Sequence, residues 1–240
     1  MPMMMMLLIL VFIYFACFIT ILFFNKYMNP KYTLIFFMIT NAALFAGYCI
    51  NEYSRKGKFD FLTFDQISPF MFTMLCLCFL MNDKIKKVFL DTAAMLSLGM
   101  FVAGLISPQE AYLASYRMDA NMLYVLDTLL HLNYSLFGVY LFISGIVKIE
   151  FKCVLRAAAF LYSVIGFAVI CNFLFHKNYF GMGYYGNFGI YMIRIFETYW
   201  ATLIVYILGV FLVLTLGFIY AHFLRNVNIH NIKEIFVKKH

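Results

Sequence analysis

The sequence predicts an all-α fold, a polytopic membrane bundle of about seven transmembrane helices with the N-terminus outside and the C-terminus cytoplasmic. Three observations carry this expectation. Of 240 residues, 65% are hydrophobic and only 12% are charged, whereas a soluble domain carries about 25% charged residues. The apolar residues run in seven long stretches, most of them without the polar face that a helix of a soluble core keeps at helical spacing. With only 4 Pro and 13 Gly, these stretches are not divided into loop-rich pieces.

The first span is expected over residues 3–24. It lacks the charged n-region of a secretory signal, and Asn25-Lys26 stands where small residues would mark cleavage, so it reads as a permanent helix. The second runs over 32–50, after the turn signal Asn29-Pro30, and a polar loop from Asn51 to Gln66 follows. The third, 67–81, is short for a hydrocarbon core of about 30 Å, which calls for roughly 20 residues. Its Pro69 falls in the first turn, where the missing N–H costs nothing. The fourth covers 88–107 and stops before Pro108. The fifth, 121–147, is the longest. The sixth covers 157–175 and the seventh 199–224, separated by an aromatic- and glycine-rich stretch suited to the membrane interface.

Orientation follows from the basic residues. The connections after spans one, three and five, together with the tail, hold 12 of the 18 Lys and Arg, and the opposite side holds 6. The positive-inside rule puts the richer side in the cytoplasm. Residues 1–224 thus form one transmembrane domain and 225–240 a basic cytoplasmic tail, in a multi-pass protein of the cell membrane. The expected partners are the bilayer, a lipid ligand and another membrane protein. No nucleic-acid partner is expected, because no soluble domain presents a basic face. The 6 cysteines are scattered over several spans rather than clustered with histidines, which predicts packing residues and no metal or cofactor.

Ionisable groups inside a bilayer are costly and mark function or pairing. Asp127 and His131 lie four residues apart in the fifth span and share a helix face, so the carboxylate can orient the imidazole. On the predicted topology they sit in the outer half of the bilayer. Thr73, Asn172, His176, Arg194 and Glu197 fall at the same end, and all could line one outward cavity. The alternative is a self-neutralising pair that packs against neighbouring helices. Asp91, four residues after Lys87, is expected to form an ion pair with it at the headgroups. Asn133-Tyr134-Ser135 matches a glycosylation acceptor but falls inside the fifth span, out of reach of that machinery.

From Pro69 onward the chain resembles the bacterial YwaF family of integral membrane proteins. The likeness rests on Pro69 opening a short third span, Ser107-Pro108 ending the fourth, His131 in the fifth, the stretch from Arg156-Ala157 to Asn172, and the turn that follows Asn172. The resemblance covers about two thirds of the chain and implies about seven spans. The family is related to an animal ether-phospholipid acyltransferase that uses a cysteine, and its members show P-x-H-x-C at the third span. Here Met71 and Thr73 occupy the histidine and cysteine positions, and Cys76 follows one turn later. The expected function is therefore non-catalytic binding or handling of a lipid or lipid-linked group. One alternative is a membrane acyltransferase with Cys76 or Thr73 as nucleophile and His131 as base. Others are a proton-coupled transporter subunit relaying through Asp127 and His131, or a scaffold for another membrane protein.

Overall fold

A computed structural model describes residues 3–56, 67–106, 121–148, 150–176, 179 and 199–226. Among these residues the chain is all-helical, with seven α-helices and no strand: α1 (Met3–Phe24), α2 (Pro30–Lys56), α3 (Ile67–Leu77), α4 (Asp83–Ile106), α5 (Asn121–Ile143), α6 (Phe151–Phe175) and α7 (Tyr199–Asn226). Each expected span corresponds to one helix, and the ends differ for local reasons. Asn29 accepts the Lys31 N–H at 3.0 Å, so Pro30 becomes the first residue of α2. α2 then runs six residues past Ile50 into the expected polar loop, since no breaker intervenes before Gly57. A single 3-10 turn, Cys78–Leu80, ends α3. Asn82 next accepts the Ile85 N–H at 3.0 Å, which starts α4 at Asp83, five residues before the expected Val88.

The expected fifth span is cut short. α5 ends at Ile143 because Gly145 adopts φ +75, a left-handed turn open to glycine, and the Val147 N–H folds back onto the Leu141 carbonyl at 3.0 Å. α6 starts at Phe151 rather than Ala157, with Cys153 N–H bonded to the Glu150 carbonyl at 2.8 Å, so Lys152 and Arg156 belong to its first turns. It stops at His176, which takes φ 51.

Among the described residues, four helices are long and apolar enough to cross a membrane: Pro30–Ser54, Val125–Ile143, Phe151–Phe175 and Leu203–Phe223. Their burial runs opposite to that of a soluble protein. The Val125–Ile143 segment, the least apolar of the four, is 67% buried, while the most apolar, Leu203–Phe223, is 17% buried. Large apolar side chains such as Phe36, Phe167, Leu174, Leu208 and Phe223 point outward. A surface of this kind fits hydrocarbon as its solvent and an integral membrane protein as its class.

α4 and α5 form the interior. Every residue from Phe89 to Gly99 is buried, as are most from Thr128 to Leu141. α4 packs on α5, α6 and α7, and α5 also meets α1, α2 and, weakly, α3. With hydrocarbon on the outside, apolar burial alone does not hold helices together, so close backbone approach and hydrogen bonds matter more. Small residues supply the approach. A Cβ on Gly217 of α7 would lie 2.2 Å from the Met95 carbonyl oxygen of α4, and one on Gly99 would lie 2.0 Å from that of Val213. At the α4–α5 contact, a Cβ on Gly138 would lie 2.7 Å from that of Ser97. Buried amides supply the hydrogen bonds: Asn41 of α2 donates to the Phe72 carbonyl of α3 at 2.9 Å, and Asn133 of α5 to the Phe37 carbonyl of α2 at 3.4 Å.

Candidate functional site

His131 and Asp127 lie on one face of α5, as their spacing predicts. The imidazole Nδ1 is 2.8 Å from the Asp127 backbone carbonyl and 3.5 Å from its carboxylate Oδ1. A carbonyl only accepts, so this contact requires the proton on Nδ1 and leaves the Nε2 lone pair available in the neutral ring. Nε2 makes no hydrogen bond among the described residues. The ring is buried, and its centroid is 5.2 Å from that of Phe72 in an edge-on contact. Phe72 also meets Tyr134, at 5.8 Å, so α3 and α5 are locked by aromatic contact at this level.

The other expected site residues among those described each have a place of their own in the fold. Cys76 is half-buried, and its Sγ is 3.2 Å from the Asn41 amide, which places the thiol at the α2–α3 contact. Thr73 is half-buried on the adjoining turn. Asn172 is buried and committed to the backbone: its Oδ1 accepts the Tyr179 N–H at 2.7 Å, and its Nδ2 donates to the Tyr179 carbonyl at 3.1 Å. It acts as a clasp on the chain leaving α6. His176 is exposed as the left-handed residue that ends that helix. Arg194 and Glu197 lie outside the described residues.

A second polar site, not anticipated as one, lies at the opposite end of α5. There the start of α4, the turn at Gly145 to Lys148, Glu150 and the start of α6 enclose a cavity of about 420 Å³. Five cations, Lys86, Lys87, Lys148, Lys152 and Arg156, and three carboxylates, Asp83, Asp91 and Glu150, line it. Asp91 does not pair with Lys87 as expected. Its buried carboxylate meets Arg156 of α6 at 2.6 Å, an ion pair rather than an aligned hydrogen bond. Lys87 is exposed, and its flexible ammonium is well hydrated, whereas the planar, weakly hydrated guanidinium suits a buried partner. Arg156 also donates to Cys153 Sγ at 3.2 Å. Glu150 is paired with Lys152, and that hydrogen bond and charge hold its carboxyl below the usual carboxylate range.

The signal for this site was present in the sequence as two basic clusters, Lys84 to Lys87 and Lys148 to Arg156. Each is accounted for by orientation alone, and only the fold brings them together. No known protein family, curated protein or solved structure matches this chain. Among the described residues, no group of three His, Cys, Asp or Glu is placed to hold a metal.

Proposed function

We propose that the chain is a multi-pass protein of the cell membrane in which all seven helices cross the bilayer, N-terminus outside and C-terminus cytoplasmic, in a YwaF-like arrangement. In this reading it binds a lipid or lipid-linked group beside the outer half of α5 without chemical turnover. The topology is supported by the cavity, where the α3–α4 and α5–α6 connections meet at one end, as alternating crossings require. Those connections carry the basic residues that the positive-inside rule assigns to the cytoplasm.

One observation carries the binding role. His131 is buried in a largely apolar helix with Nδ1 committed to Asp127 and Nε2 left to accept. A ligand hydroxyl can donate to Nε2 while the Asp127 carbonyl, 2.8 Å from Nδ1, holds the ring in the tautomer that accepts there. Binding is favoured over acyl transfer because the Cys76 thiol is in contact with Asn41, while the described contacts of His131 are Asp127 and Phe72. A cysteine nucleophile needs an imidazole within hydrogen-bond reach to take its proton.

The test is mass spectrometry of lipids that co-purify in mild detergent, alongside whole-cell lipid profiles, for the native chain, His131→Leu and Cys76→Ala. The expected result is that His131→Leu loses a specific co-purifying lipid while Cys76→Ala keeps it and no cellular acyl-chain profile changes. An unchanged lipid complement in His131→Leu refutes the binding role. A cellular acyl-chain change lost in both variants establishes the acyltransferase instead.

A further inference from the structure

The cavity at the α4–α6 end has a charge arrangement that structural pairing does not use up. Two of its three carboxylates are matched, Asp91 by Arg156 and Glu150 by Lys152. Lys86, Lys87 and Lys148 form no ion pair among the described residues; Lys87 and Lys148 feel Asp91 and Glu150 only at longer range, and five cations face three carboxylates in all. Arg156 is fixed in place by buried Asp91, yet its Nε has no hydrogen-bond partner there. The wall on one side is Gly145, beyond whose Cα there is open space. Cations held close together with too few anions repel one another, and an incoming anion relieves that repulsion.

Depth narrows the ligand further. Phe151 and Leu155 each precede a cavity cation, Lys152 and Arg156, and Ile85 precedes Lys86; all three apolar side chains are exposed. The cavity therefore opens where the apolar surface of α4 and α6 gives way to charge, which is the headgroup level of a bilayer.

We infer that this cavity binds a phosphate group, as carried by the glycerol-phosphate headgroup of an acidic phospholipid, between Lys86, Lys87, Lys148 and Arg156. A volume of about 420 Å³ accommodates a headgroup and leaves the acyl chains against Phe151 and Leu155. Basic pockets between helices on the cytoplasmic side suit such headgroups. The same chemistry belongs to a free phosphate ester, and the experiment separates the two sources. The inference rests on the membrane reading but not on His131, so a failure of lipid retention in His131→Leu leaves it standing.

The full-length chain in nanodiscs of neutral lipid is titrated with phosphatidylglycerol or with soluble glycerol phosphate, following thermal stability. Saturable stabilisation by either probe is expected. The double variant Lys87→Glu/Lys148→Glu should weaken it by at least about tenfold, from charge reversal at two sites, and Lys87→Gln/Lys148→Gln by less. Glu150→Gln, which releases Lys152, should strengthen it. Lys31→Glu, an exposed charge on α2 outside the cavity, should change nothing. Response to phosphatidylglycerol alone assigns the lipid source, and equal response to glycerol phosphate assigns the free ester. No saturable response to either probe, or an equal loss in Lys31→Glu, overturns the inference.

Discussion

Alanine at Gly217 and at Gly209 is the same change in the same helix, and the structure predicts opposite signs. In a helix interior, Gly→Ala gains about 0.5–1 kcal/mol from lower backbone entropy in the unfolded chain. Gly209 is exposed, with nothing within 4 Å of the added Cβ, so it should realise that gain. Gly217 is buried against α4. Its Cβ would sit 2.2 Å from the Met95 carbonyl oxygen and 2.9 Å from the Gly99 nitrogen, about 1.2 Å short of the 3.4 Å at which ordinary contact begins. Both obstacles are backbone atoms of a packed helix and have no rotamer to yield. α7 must back away by roughly that amount, and a gap of 0.5–1 Å already forfeits a quarter to a half of a contact's dispersion energy. Overpacking costs typically about 1–3 kcal/mol, which exceeds the propensity gain. Gly217→Ala should therefore be destabilised by about 1–2 kcal/mol net, with Gly209→Ala neutral or slightly stabilised. Buried Cys78 and Cys153 supply the assay, because a thiol-reactive fluorogenic dye labels them as the bundle opens on heating. Equal melting curves for the two variants would refute the close approach of α4 and α7.

Two further predictions concern buried polar pairs. Arg156→Leu strands Asp91, whose side chain is 5% exposed, and breaking a fully buried pair costs about 3–5 kcal/mol. Because Arg156 is 36% exposed beside a cavity, the expected loss is smaller, about 1–3 kcal/mol. Adding Asp91→Asn should recover much of it in a double-mutant cycle, and additive losses would show that the pair is not coupled. Asn172→Ala removes both bonds to the Tyr179 backbone, at a net cost of about 1–3 kcal/mol, and should speed hydrogen exchange at the Tyr179 amide. Unchanged exchange there would show that the clasp does not hold the chain after α6.

The helical class, and the seven helices among the described residues, were legible in the sequence because a long apolar run can satisfy its own backbone hydrogen bonds as a helix, the rule that hydrocarbon imposes on any segment crossing it. The Asp127–His131 contact was legible for a similar reason, since spacing along one helix sets which side chains share a face. Helix ends were less so. Hydropathy starts a span at the first apolar residue, whereas α4 starts at the Asn82 cap and α6 includes Lys152 and Arg156. The polar ends of these two helices are the walls of the cavity, so the same omission hid the second site.

What no pattern along the chain encodes is which faces meet. Asp91 has Lys87 one turn away and pairs with Arg156, 65 positions further on. Asn41 and Cys76, 35 positions apart, meet at the α2–α3 contact, and Gly217 matters only because Met95 lies across from it. In the sequence Gly209 and Gly217 are equivalent small residues of one apolar helix. The rotation and depth of that helix against α4 put one in open space and the other against backbone. Local chemistry and the bilayer therefore determined the helices, and tertiary packing, through the close approach of particular faces, decided the pairs, the seams and the cavity.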